Sequence, residues 1–242
     1  FARIFMLLLF LTVWELFADF HIIDSFFFSS PSRVVACFVR MVSERSLFTH
    51  IGITLTETVI SFFLVALVSL STATLLWYSR RLSEILEPFL VVLNSLPKSA
   101  LAPLLIVWLG TGMDTIIAAG ISVAIFGAII NLYTGFLQAD PEKLLLIRTL
   151  GGTRRDCFFK VVLPASIPVI LSNMKVNIGL SLVGVVIGEF LAARRGLGYL
   201  IIYGSQVLQL DMLITSILLL CIIAMGLYQL LQFAEHCYKK KV

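Results

Sequence analysis

Six apolar segments divide this chain, at about residues 4–20, 51–78, 88–109, 113–137, 167–192 and 212–233. An α-helix needs about 20 residues to cross the hydrocarbon core of a bilayer, and each segment has about that length or more. Of the 242 residues, 60% are hydrophobic and 13% are charged, with a mean hydropathy of +1.03. A soluble domain carries about 25% charged residues, so this chain could not cover a water-facing surface. The sequence therefore predicts an all-α integral membrane protein of six transmembrane helices, forming a single transmembrane domain over 1–242.

The chain opens on Phe1 rather than Met, and some sequence is expected before it. No A-x-A-type cleavage site follows segment 4–20, so it reads as a retained first span rather than a signal peptide. Pro31 begins a short helix whose Val34, Val35, Phe38, Val39 and Val42 make it amphipathic, suited to the membrane surface. The front of the second segment, with Thr54, Thr56, Glu57 and Thr58, is too polar for bare lipid and must face protein or the interface. The third segment carries Asn94, Pro97, Lys98 and Pro103. Two prolines free backbone carbonyls that need partners, which predicts a kinked helix buried in a bundle and lining a pathway. The fifth segment holds Asn173, Lys175, Asn177 and Glu189, and a Gly184-x-x-x-Gly188 pair that would let another helix approach closely. Residues 199–210 read as an interfacial connector.

The net charge of +4 is a matter of topology rather than of nucleic acid, because the basic residues fall in particular loops. With the N-terminus inside, the inner set is Arg3, Arg80, Arg81, Lys143, Arg148, Arg154, Arg155, Lys160 and Lys239 to Lys241, eleven residues. The outer set is Arg33, Arg40, Arg45, Arg194 and Arg195, five residues. Both termini, and the loop after segment four, are thus expected in the cytosol.

That loop, residues 140–168, is the only long run that is both charged and amphipathic. Asp140 is a good N-cap, Pro141 suits the first helical position, and Glu142 favours the positive end of the helix dipole. A helix over 141–150 should stop at Gly151-Gly152, where glycine supplies positive φ. Thr153 with Asp156 has the spacing of a capping box, so a second short helix should follow and end before Pro164. Leu144, Leu145, Leu146, Ile147 and Leu150 are too many apolar residues for a solvated loop. Flanked by Lys143, Arg148, Arg154, Arg155 and Lys160, they suit either anionic lipid or a protein partner.

The run from Gly151 through nine residues to Val161-Val162-Leu163-Pro164 resembles the loop of bacterial ABC importer permeases, whose pattern is E-A-A, three residues, G, nine residues, I-x-L-P. Asn94-Ser95-Leu96-Pro97-Lys98 through Gly110-Thr111-Gly112 is similar to the third-span region of the nitrate, sulfonate, taurine and bicarbonate branch. Gly188-Glu189-Phe190-Leu191-Ala192 through Gly196-Leu197-Gly198-Tyr199 looks like that branch's segment after span five, and Pro31-Ser32 fits as well. The resemblance implies a type I importer permease with a coupling loop at 140–164. Two partner ATPase subunits would dock there, binding ATP and Mg, so this chain needs no cofactor of its own. A second permease chain, as a homodimer, and an extracytoplasmic binding protein are implied too, in the inner membrane. The docking residues implied are Asp140, Pro141, Glu142, Leu145, Leu146, Ile147, Arg148, Leu150, Gly151, Arg154, Arg155 and Pro164. One departure stands out: Leu145-Leu146-Ile147 occupy the Glu-Ala-Ala positions.

Asn94, Pro97, Lys98, Asn173, Lys175, Asn177 and Glu189 are the pathway or gate candidates. Lys175 could instead snorkel to the cytosolic surface, and Glu189 could pair with Arg194 or Arg195. The two lysines hint at an anionic solute, although in such importers the binding protein chooses it. No G-x-x-x-x-G-K-[ST], catalytic triad or paired-carboxylate pattern suggests an enzyme, and the scattered Cys and His residues predict neither disulfide nor metal. The other reading is a stand-alone secondary transporter or channel.

Overall fold

The computed structural model describes residues 2–20, 24 and 28–239, and its described residues are helical with no strand. The terminal Lys240 and Lys241 and the loop residue His21 lie outside the described residues. The helices are α1 (Ala2–Asp19), α2 (Pro31–Ser43), α3 (Ser46–Tyr78), α4 (Arg80–Ser95), α5 (Lys98–Leu109), α6 (Met113–Leu137), α7 (Pro141–Thr149), α8 (Arg154–Cys157), α9 (Leu163–Ala192), α10 (Leu197–Gln206) and α11 (Leu210–Lys239). A π-helical turn, Phe158–Val162, joins α8 to α9 without a break.

Among the described residues, α3, α6, α8 to α9 taken together, and α11 are long and apolar enough to cross a membrane. The pair α4 and α5 passes the same test as a unit, but it is bent by 97°. The third expected span is therefore broken nearly at a right angle rather than kinked. Pro97 is the cause: it has no N–H to give, and its ring holds Leu96 in an extended conformation, φ −65° and ψ 140°. Pro88 and Pro103 sit inside α4 and α5 without ending them. Glu84 and Glu87 also lie within α4. The first expected span, α1, is helical but does not pass that test, because its eighteen residues include Arg3, Glu15 and Asp19. Among the described residues, four helices, or five with the bent pair, stand where six spans were expected.

The centre of the bundle is α6, held between α3 and α9 by small residues. On α6 these are Ala119, Gly120, Ala124 and Ala128, all buried. Opposite them α9 presents Gly184 and Gly188. A Cβ on Gly184 would fall 2.7 Å from Gly120 Cα and 2.8 Å from the Ala119 carbonyl oxygen. Backbones in lipid come this close only where side chains are missing, and the many short contacts then take the place of a hydrophobic drive. The G-x-x-x-G expectation thus finds its partner helix in α6.

On α3 the polar residues Thr54, Glu57, Thr58, Ser61 and Ser69 are all buried, at spacings that keep them on one face of the helix. The opposite face exposes Phe63, Leu67 and Leu75. Of the polar front noted in the sequence, Thr54, Glu57 and Thr58 therefore turn inward, as lipid requires, whereas Thr56 is exposed and donates to the Gly52 carbonyl of its own helix. At the end away from α7, helix α2 packs Cys37 and Met41 against Leu197, Leu200 and Leu219 of α10 and α11. Ser30 caps α2, accepting from the Arg33 N–H, and Arg33 pairs with Asp211 at 3.1 Å.

Candidate functional site

The segment joining α6 to α9 is an elbow whose two arms are fixed by local chemistry. Asp140 Oδ1 accepts from the Glu142 N–H at 2.9 Å, and Pro141 opens α7. At its far end the Gly152 N–H donates to the Ile147 carbonyl (2.9 Å) and the Gly151 N–H to the Arg148 carbonyl (3.0 Å). That is a Schellman ending, with Gly151 in the left-handed region at φ 79°. Gly152 matters for closeness instead: a Cβ there would lie 2.5 Å from Ile147 Cγ2. Thr153 and Asp156 then form the reciprocal capping box that starts α8.

The second arm does not end before Pro164 as the sequence suggested. It runs through the π turn, where the Leu163 N–H reaches back to the Phe158 carbonyl, and continues as α9 past Pro164 and Pro168. Pro164 has no N–H to give, and the helix runs on from the wider i→i−5 register that precedes it without that bond. Loop and span five are one continuous rod.

The root of the elbow is aromatic. Phe158 is buried with ring centroids 5.2 Å from Trp77, 5.4 Å from Tyr78 and 5.5 Å from Phe136. Leu144 packs into the same cluster from α7. Arg154 lies over the Trp77 ring, 5.5 Å from its centroid, and donates to the Trp77 carbonyl at 3.0 Å. Arg154→Ala should loosen this root by about 1 kcal/mol, the net worth of a lost hydrogen bond. Amide exchange over 141–163 should then quicken while exchange in α3 and α6 stays as it was.

With Leu144 turned inward and Ile147 covering the bend, the remaining apolar side chains point away from the protein. Leu145, Leu146 and Leu150 are 62%, 58% and 77% exposed. Pro141, Glu142, Arg148, Arg155 and Pro164 are exposed around them. Of the three residues at the Glu-Ala-Ala positions, two are thus free for a partner, and Ile147 serves the bend.

The pathway candidates do not form one site. Glu189 is fully buried at the end of α9 far from the elbow, and pairs with neither Arg194 nor Arg195. Its Oε1 accepts from Thr54 Oγ1 (2.6 Å) and its Oε2 from the Gly198 N–H (2.5 Å). Thr54 Oγ1 in turn accepts from the Leu197 N–H at 2.8 Å. Glu57, 2% exposed, reaches the same carboxylate. This knot fixes the start of α10 to α3 and α9. Gly196, at φ 119°, fits because it has no Cβ, which would run into the Glu189 carboxyl group. His50 also joins it, accepting from the Gly196 N–H at 3.0 Å. Sequence reasoning missed Thr54 and Glu57 as partners of Glu189, and His50 as the partner of Gly196. Only the polar face of α3 signalled that partners were needed.

Lys175 has a partner on another helix. It pairs with Glu235 of α11 at 2.6 Å. Lys98 donates to the carbonyls of Leu93 and Asn94 at the break, above the Phe126 ring. Asn94 approaches Gly127 of α6. Asn173 and Asn177 are buried on another face of α9 from Lys175, and Asn173 Nδ2 donates to the Ala128 carbonyl at 3.3 Å.

Comparison with known proteins gives a consistent picture. Residues 66–234 match the family described as "Binding-protein-dependent transport system inner membrane component". A Haemophilus influenzae protein described as a probable ABC transporter permease is 30% identical over 226 residues, covering 93% of this chain and 91% of its own. The formylaminopyrimidine transport permease ThiX of Halalkalibacterium halodurans is 28% identical, covering 79% and 76%. The taurine permease TauC of Escherichia coli is 26% identical, covering 88% and 80%. In fold, the chain is similar to a chain of an inward-facing MetNI methionine ABC transporter, with TM-score 0.68 at 20% identity, covering 82% of this chain and 97% of that one.

Proposed function

The chain belongs to the binding-protein-dependent transport system inner membrane components, and from that premise we infer that its elbow, residues 140–164, is the surface through which ATPase subunits drive it. It is a multi-pass permease subunit of an ATP-driven ABC importer. The observation that carries the docking role is the trio of exposed leucines on α7, set on an arm capped at both ends and rooted in an aromatic cluster. A partner that covers Leu145, Leu146 and Leu150 gains about 1.5–3 kcal/mol for each leucine it buries fully. Glu142, Arg148 and Arg155 at the rim supply charge for orientation.

In this reading two copies of the permease form the pathway, and the elbow and both termini lie in the cytosol. ATP and Mg belong to the partner ATPases. ATP binding there favours one arrangement of the spans over the other, and the continuous rod from α8 into α9 carries that difference into the membrane. A soluble binding protein outside delivers a small anionic or polar solute, of the sulfonate, taurine, nitrate, bicarbonate or vitamin-precursor kind. Co-expression with its neighbouring reading frames tests the assignment. The detergent-solubilised permease should retain a P-loop ATPase through size exclusion. Purification without one, together with uptake that does not need ATP, would favour a stand-alone transporter.

A further inference from the structure

Between α6 and α9, beside the root of the elbow, lies a groove of about 480 Å³. Such a volume falls within the range of small-molecule sites. Its polar lining is Asn131, Thr134 and Gln138 from α6 and Ser172 and Asn173 from α9. These five side chains are all uncharged. Asn173 is 6% exposed, and its Oδ1 has no hydrogen-bond partner among the described residues. Lipid cannot satisfy a row of amides and hydroxyls, so the groove must meet water, protein or solute.

The chemistry of the lining points to what it holds. Each side-chain amide offers a donor and an acceptor side by side, as when Asn or Gln reads the edge of adenine. The two lysines of the neighbouring spans are turned elsewhere, Lys175 onto Glu235 and Lys98 onto backbone carbonyls. Among the described residues that line this groove, an anion would find no cation to replace its water. Resting on the importer reading above, we propose that the groove is a station for the transported solute. We further propose that this solute is an uncharged nitrogen heterocycle of the aminopyrimidine type, held by amides rather than by charge. The groove is bounded by the two helices that the elbow connects, so a shift of the elbow changes its width. Release would then follow from the same movement that the ATPases impose.

The test uses the complete complex of permease, ATPases and binding protein in proteoliposomes, with formylaminopyrimidine, taurine and ethanesulfonate as labelled probes. ATP-driven uptake of the pyrimidine is expected. Asn131→Leu with Gln138→Leu should lower it by about tenfold or more, the scale of lost hydrogen-bond partners, with the ATPases still bound. Gln138→Glu, which keeps the shape and adds a charge, should lower it as well. Uptake confined to taurine or ethanesulfonate, or to none of the probes in a complex that still hydrolyses ATP, would overturn the solute class. Full pyrimidine uptake in both groove variants, with loss in Lys98→Met, would overturn the groove. A permease that binds no ATPase would instead overturn the importer reading on which the proposal rests.

Discussion

Leu146→Asp is expected to abolish ATP-driven uptake while leaving the permease inserted and monodisperse. Leu146 makes no part of the core and is more than half exposed, so the change costs the isolated chain little. At a docked surface the cost is different. The contact loses about 1.5–3 kcal/mol of apolar burial and gains a carboxylate that has to be desolvated. Together these weaken ATPase binding by at least roughly tenfold to a hundredfold. Gly151→Pro should have the same result by another route. Proline is held near φ −65° and cannot adopt the φ of 79° found here, and it removes the N–H given to Arg148. The end of α7 would then lose its Schellman ending and the leucines their orientation. Co-purified ATPase and uptake are the two measurements. If both variants transport normally at normal expression, the elbow is not the docking surface.

The second large effect is structural. Gly184→Leu should destabilise the bundle by about 1–3 kcal/mol or more, because the new Cβ would meet backbone atoms of α6, which cannot rotate away as a side chain can. The expected result is a lower thermal midpoint in detergent and a smaller monodisperse fraction. Gly179→Leu on the same helix is the control, since nothing lies within 4 Å of its Cβ position. Equal behaviour of the two variants would mean that the α6–α9 seam is not the close contact described.

What could be read from the sequence was whatever depends on neighbours along the chain. The cap at Asp140, the left-handed Gly151 and the Thr153–Asp156 box are settled within four residues by hydrogen bonds that a sequence spells out. The glycine pair at 184 and 188 announced a close approach, though not that Ala119 and Gly120 would provide the other half. Pro164 misled, because a proline in a helix has two outcomes, and the π turn that allows continuation leaves no mark in composition. Pro97 ended a helix where Pro88 and Pro103 did not. The fates of the buried charges were not legible. Lys175 and Glu235 are 60 positions apart, and Thr54 and Glu189 are 135 apart. Each is an unmatched polar residue until the helices are assembled. The groove between α6 and α9 was half visible: Asn173 stood out as a polar residue in an apolar span, whereas its neighbours in the groove on α6 did not.

Helix α9 has thirty residues, so it is a rod about 45 Å long, with the elbow fused to one end and the Glu189 knot clamped at the other. Geometry then sets a conversion ratio. If the knotted end acts as a pivot, a tilt of about 10° sweeps the elbow end through roughly 8 Å. A clamp at the far end that slackened would let the rod slide or spin and waste that stroke. If the elbow takes up the ATPases' movement, as proposed, the buried Glu189 side chain is the bearing of a lever, and its stiffness limits how much of the work done at the elbow reaches the far end of the rod.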